Sequence, residues 1–451
     1  MYLSEILAEH ISAVAARPPL AETRNMAIRC VLDLIGAAIV GHSSDSATAA
    51  RRSAATLFGK GETPIWFSGQ ELAAVGALFC NAAAACALDI DDGHRAARGH
   101  PGASVVTTAL TIGSVQQLGG DDIIAAIVAG YDIGVRTAAA QNPQTISTRQ
   151  SGRWAAIASA ATAAVLLKAS PAVTTQALAI AGVLAPNQQA NGSSGYSKMT
   201  GNDVKEGIPW SSATGLMALE LARRGFTGPS DLFDYPDYYD PRLLLGELGR
   251  RWEILGTYFK PYACCRYIHP ALDRLLELVE RYGLTSETLI SIDVETFGWA
   301  LRLANRTSPE NLVDVQYSLP YCLAIALVDG SSGLLPITTK CLARPDLVAV
   351  AKKVQLLVHH QSDRLFPAET LARVTVQAKN GKFVSDLGGP LGDPGLPLLW
   401  HGIEEKFCRL TAARLTPGKR QAIVDGVLAL AQGEAGPLFA EMPQDLDMHE
   451  D

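Results

Sequence analysis

Up to about residue 260 the apolar positions of this chain recur with a helical period. Glu22–Val40, Leu72–Leu88, Asp121–Ala140, Ala155–Lys168 and Thr175–Ala185 are long, rich in alanine, and apolar on one face or on all of them. Such segments predict helices that are buried and closely packed, because alanine adds little bulk between neighbouring axes. Start and stop signals support them. Ser170-Pro171 reads as a cap with proline at the first helical position, and Gly225 followed by Pro229 ends a helix over Ala213–Arg224. After about residue 285 the period shortens. Leu289–Phe297 alternates and is rich in Ile and Val, and Arg373–Leu387 alternates on both sides of Asn380-Gly381, a strong hairpin signal. Helices over Leu319–Asp329 and Pro345–Val354 lie between these strands, and from His401 to Gly433 the helical pattern returns behind a Thr416-Pro417 cap.

The expected fold class is therefore mainly α, with a large all-helical domain and a smaller α+β domain. The helical domain takes residues 1–270 and 401–451, so that both chain ends join it, and the α+β domain takes residues 271–400. Gly388–Pro397 reads as a link, and the acidic tail from Pro443 as a loose end.

Composition narrows the class. Of 451 residues, 48% are apolar and 18% charged, enough to bury a sizeable core. The net charge of −7 comes from 38 basic and 45 acidic residues that are well mixed, with no basic patch or arm, which argues against a nucleic-acid partner. Met1–His10 carries Glu5 and Glu9 without a long apolar run, unlike a signal peptide. The uncharged apolar stretches, Ala155–Leu167 among them, fall short of the ~20 residues a membrane span requires. The eight cysteines form no CxxC pair and read as free thiols of a reducing compartment. A cytoplasmic protein with no membrane partner is expected.

Candidate chemistry concentrates in Asp89-Ile90-Asp91-Asp92-Gly93-His94-Arg95-Ala96-Ala97-Arg98-Gly99-His100-Pro101. Three acids, two histidines and two arginines occur here within twelve residues, directly after an apolar helix. The bland alternative is a solvated loop capping the next helix. The apolar flanks favour a polar constellation against a dry wall, where carboxylate–imidazole pairs shift their proton affinities. Three further segments stand out: Lys205-Glu206-Gly207 before an apolar helix and after the loop-like Ser193-Ser194-Gly195; Tyr258–Pro270, in which Lys260 and Arg266 sit among aromatics and cysteines; and Asp314–Tyr321, which carries Tyr317 and Tyr321. A cation in apolar surroundings is costly unless it meets an anion, and a ligand carboxylate or an internal acid would serve. The adjacent Cys264 and Cys265 allow a redox pair, a rare arrangement. No metal-ligand spacing, dinucleotide loop, P-loop or G-x-S-x-G motif occurs.

These four segments, with Leu221-Ala222-Arg223-Arg224-Gly225-Phe226-Thr227-Gly228-Pro229, resemble the MmgE/PrpD family over nearly the whole chain. That family includes 2-methylcitrate dehydratase, cis-aconitate decarboxylase and iminodisuccinate epimerase. The resemblance implies a helical domain with an α+β lid, a homodimer, no metal and no organic cofactor, and an active site between the domains. It implies a small carboxylate substrate and catalytic roles for Asp89, His100, Lys205 and Lys260. Asp92, His94, Arg149, Cys265, Arg266 and Tyr317 are expected to bind substrate, with Tyr321 as the competing tyrosine.

The resemblance also implies a cofactor-independent, dehydratase-type lyase that removes a proton next to a carboxylate. Here His100, oriented by Asp89, handles the proton. Lys205, Lys260, Arg149 and Arg266 hold carboxylates, and His94 or Tyr317 protonates the leaving group. The alternatives are an epimerase or isomerase of a small dicarboxylate, and a non-catalytic small-anion binder. Three departures speak against cis-aconitate decarboxylation itself. Arg149 and Cys265 stand where the decarboxylase has histidines, and the spacing from Asp89 to His100 is one residue longer.

Overall fold

The computed structural model describes residues 1–148, 150–187 and 201–446. Arg149 and the Ser193-Ser194-Gly195 stretch lie outside them.

The periodic segments fold as helices close to their expected bounds: Ala21–Gly41, Ala74–Cys86, Gly102–Val115, Gly120–Ala140, Gly152–Leu166, Pro171–Leu184 and Ile208–Arg223. The caps behave as read. Ser170 accepts from the Val173 N–H and Thr416 from the Lys419 N–H. Small residues let the axes approach. A Cβ on Gly215 would lie 2.3 Å from the Ala156 carbonyl oxygen, so only glycine allows Ile208–Arg223 to pack on Gly152–Leu166 at this depth. Among the described residues one straight helix, Gly120–Ala140, is long and apolar enough to cross a membrane, and 94% of its apolar window is buried inside the protein.

The apolar core forms two main clusters. The first gathers residues from Leu7 to Phe259 and is joined by Ile403–Leu446, because helices Trp400–Thr411 and Pro417–Ala431 return to pack on Ala21–Gly41. The second surrounds a four-stranded sheet whose order is Val354–Val358, Leu289–Thr296, Ala372–Ala378, Gly381–Val384. The first pair is parallel and the other two are antiparallel, the last turning at Asn380-Gly381 as expected. Helix His269–Tyr282 packs on this sheet, and Leu319–Asp329 packs on that helix in turn. Val354–Val358 differs from expectation. Helix Pro345–Ala351 stops short, and the residues after it form an edge strand of mostly half-buried or exposed side chains. An edge strand of this kind lacks the alternation that marks a strand in sequence.

Two short pairings position the site. Gly93–His94 runs antiparallel to Thr257–Tyr258, and His94 bridges to Gly99. The dense polar segment is thereby fixed beside the stretch that carries Lys260 and Arg266. A Cβ on Gly93 would fall 2.4 Å from the Tyr258 ring, so glycine is required for that approach.

Candidate active site

A cavity of about 350 Å³ opens where the helical body meets the α+β unit. Asp89, His94, Arg95, Arg98 and His100 form one wall, Glu206 and Gln150 another, and Tyr317, Trp299 and Phe366 face them from the α+β side, with Cys265 and Arg266 at the junction.

Asp89 follows the end of Ala74–Cys86 with a left-handed backbone, φ +55°, and is 2% exposed. Burial opposes its charge, but Lys260, Lys205 and His100 outweigh that and hold its carboxyl well below the usual carboxylate range. The Lys260 ammonium, itself fully buried, donates to Asp89 Oδ2 at 2.6 Å. Lys205 Nζ lies 3.8 Å from Oδ1 and donates to the carbonyls of Cys86 (2.8 Å) and Ala87 (3.2 Å), satisfying orphan acceptors at the helix end. Neither lysine lines the cavity, which corrects the expectation that they hold substrate carboxylates directly. A buried carboxylate meets them first.

His100 reaches the wall with its side chain 12% exposed. Its Nδ1 is 3.2 Å from Asp91 Oδ2, and its Nε2 is 3.7 Å from Asp89 Oδ1. The nearer carboxylate is therefore Asp91, not Asp89 as expected. The contact is an ion pair off the hydrogen-bond line, since neither Nδ1 nor the Asp91 oxygens have an aligned partner among the described residues. Burial opposes protonation of His100, yet Asp91 and then Asp89 prevail and raise its pKa above the ordinary histidine value. Its backbone N–H donates to Ser151 Oγ, and the Ser151 N–H donates to Glu206, which ties His100 to the Lys205 turn.

Asp91 was overlooked as a site residue because a run of three acids gives no sign of which one meets the histidine. Lys406 was missed too. From helix Trp400–Thr411 its ammonium donates to Asp33 at 2.5 Å and to the Ile90 carbonyl at 2.7 Å, bracing the turn between Asp89 and Asp91 across 316 residues of sequence.

The remaining candidates divide. Asp92 does not reach the cavity. It accepts from the Tyr131 hydroxyl and from the Gly102 N–H (2.9 Å), and burial pushes its pKa up to about 7. His94 lines the cavity but is spent. The Ala96 N–H donates to Nδ1 (3.2 Å), so Nε2 carries the proton and donates to the Glu253 carbonyl (3.0 Å). Burial, with Arg251 nearby, pushes its pKa down to about 4, so it is not the proton donor expected. The Arg266 guanidinium is engaged by Asp393 (2.7 Å) and the Leu391 carbonyl (2.9 Å) and lies 4.7 Å from the Tyr258 ring centre. Arg95 is likewise held by Asp393 and by Thr370. The Cys265 thiol faces the cavity and burial keeps it protonated, while Cys264 is fully buried. No disulfide joins them. Tyr317 faces the cavity, whereas the Tyr321 hydroxyl donates inward to the Cys341 carbonyl at 2.6 Å. Among the described residues no three His, Cys, Asp or Glu side chains converge as a metal site.

Comparison with known proteins adds to this geometry. The MmgE/PrpD N-terminal domain matches residues 5–244 and the MmgE/PrpD C-terminal domain matches residues 262–430. The chain is similar to a cis-aconitate decarboxylase-like protein of Aspergillus oryzae, 25% identical over 384 residues that cover 76% of this chain and 77% of that protein. It is similar at 24% identity over 401 residues to a cis-aconitate decarboxylase of Aspergillus terreus, covering 80% of this chain and 79% of that one.

Proposed function

The chain belongs to the MmgE/PrpD family, and on that premise we propose that it is a dehydratase-type lyase that acts on a small di- or tricarboxylate through proton transfer at the carbon beside a carboxylate. One observation carries the reading. His100 sits on the cavity wall between two carboxylates, at 3.2 Å from Asp91 and 3.7 Å from Asp89, with the lysine ammoniums behind Asp89.

A proton next to a carboxylate is barely acidic, because removing it places a second negative charge beside the first. The site has to supply a base and positive charge together. A histidine of raised pKa is the stronger base in its neutral form, and the imidazolium it becomes is stabilised by Asp91 and Asp89. Lys205 and Lys260 both offset the Asp89 carboxylate, which lessens the repulsion of a polyanionic substrate. In the proposed reaction His100 takes the C–H proton, the electron pair forms the C=C bond, the C–O bond breaks, and the Tyr317 phenol protonates the departing oxygen as water. Burial keeps that phenol protonated. These side chains suffice for the step without a cofactor, and the α+β unit that supplies Tyr317, Trp299 and Phe366 serves as the lid.

A decarboxylase reading is favoured by the names of the relatives. In it the His100 imidazolium would deliver a proton to the carbon that loses CO2. Reprotonation of the first intermediate on its opposite face would instead give an epimerase.

The test is incubation with citrate-like hydroxy acids, cis-aconitate and iminodisuccinate stereoisomers in deuterated water, following alkene absorbance, CO2 release and deuterium by NMR. Alkene formation from a hydroxy acid is expected. CO2 release or stereochemical inversion alone would move the assignment to the corresponding alternative, and no turnover or exchange with any of them would discard it.

A further inference from the structure

We infer that Arg98 is the substrate-binding guanidinium of this cavity, gripping a carboxylate of the substrate remote from the carbon on which His100 acts. The inference deepens the carboxylate reading above and rests on it for the substrate class.

Three described arginines line the cavity, and two are engaged. Arg95 and Arg266 both meet Asp393, and Arg266 also meets the Leu391 carbonyl. Arg98 has no carboxylate or carbonyl partner for its guanidinium among the described residues. Its guanidinium carbon lies 5.5 Å from the Phe366 ring centre and 6.0 Å from that of Trp299. Aromatic rings satisfy the face of a guanidinium and leave its in-plane N–H fork for an anion, the geometry suited to a bidentate carboxylate. A half-buried, uncompensated cation is costly to maintain without such an anion.

The backbone supports this placement. Arg98 has φ +52°, a left-handed conformation uncommon for a residue with a side chain, in the tight turn closed by the His94 N–H to the Gly99 carbonyl (2.9 Å) and the Arg98 N–H to the Arg95 carbonyl (3.2 Å). Asp89 and Lys205 share that conformation, at φ +55° and +45°. This turn brings the Arg98 guanidinium to the Phe366 and Trp299 rings on the cavity wall. The same turn carries His100 two residues on, so the distance from the anion grip to the proton-handling ring is fixed by one short loop. The fork therefore selects substrates with a second carboxylate at a set reach from the reacting carbon.

The test uses tricarballylate, a tricarboxylate with neither hydroxyl nor double bond, so binding is read without turnover. Calorimetric titration of the full chain should show binding that weakens roughly 10- to 100-fold in Arg98→Met, the loss expected for a charged hydrogen-bonded pair. Arg98→Lys, which keeps the charge and loses the fork, should fall between the two and serves if Arg98→Met does not fold. On a turned-over substrate the loss should appear mainly in KM. Equal affinity in wild type and Arg98→Met, or no binding by wild type at millimolar tricarballylate, overturns the inference. Arg98-dependent binding without any turnover would support it while discarding the lyase reading.

Discussion

His100 Nδ1 lies 3.2 Å from Asp91 Oδ2, and this contact sets which protonation state the ring favours. With Asp91 replaced by Asn, the pKa of His100 should fall, because the carboxylate that raises it is gone. If neutral His100 is the base, activity rises with pH through that pKa. The acid limb of the pH–rate profile should then move to lower pH in Asp91→Asn, and the maximal rate should drop because a weaker base remains. His100→Asn should reduce turnover to background. An unmoved acid limb, checked against the imidazole titration by NMR, would remove Asp91 from its role.

Lys260 and Asp89 are paired at 2.6 Å with almost no exposure. Lys260→Met leaves a buried carboxylate without its main counter-charge and should cost about 3–5 kcal/mol in urea unfolding. The double variant Lys260→Met/Asp89→Asn should recover most of that loss. If the double variant is no more stable than the single one, the lysine acts through something other than this pair.

Tyr317 and Tyr321 are four positions apart and face opposite ways. Tyr321→Phe loses the bond to the Cys341 carbonyl and should cost ~1 kcal/mol of stability with turnover retained. Tyr317→Phe should leave stability within ~1 kcal/mol and lower turnover by ~100-fold or more. The reverse pattern, from parallel melting and rate measurements, would exchange their assignments.

Asp92 gives a sign test for pH. Burial raises its pKa to about 7, whereas an unfolded aspartate titrates near ~3.9. Between those values the folded chain binds more protons than the unfolded one, so this group lowers stability as pH rises. Asp92→Asn should therefore show a flatter decline of Tm between about pH 4 and pH 7 than wild type. Parallel curves for the two proteins would contradict the buried, proton-retaining state.

The long helices and the hairpin were legible in sequence because their periods are strong and caps such as Ser170 and Thr416 obey local rules. The dense polar segment was legible as a place, since acids and histidines after an apolar helix have few bland explanations. Partner choice inside it was not. Whether His100 meets Asp89 or Asp91 depends on a left-handed turn at Asp89 and on the remote Lys406, and neither leaves a periodic trace. The lysines illustrate the same limit. Lys205 and Lys260 are cations near the site, as read, but sequence does not say that Asp89 stands between them and the cavity. Arg98 was hidden in the opposite way, inside the segment but indistinguishable from Arg95 until Asp393 and the aromatic rings were placed.

The brace from Lys406 to the Ile90 carbonyl has a consequence in time as well as space. Domains gather as the chain emerges during synthesis, and the turn after helix Ala74–Cys86 emerges 316 residues ahead of Lys406. Until then the turn between Asp89 and Asp91 has no ammonium beneath it, and Asp33 has no counter-ion. A nascent chain thus carries its acids and its histidine before the ammonium that braces their turn exists, and the register between them waits on helix Trp400–Thr411.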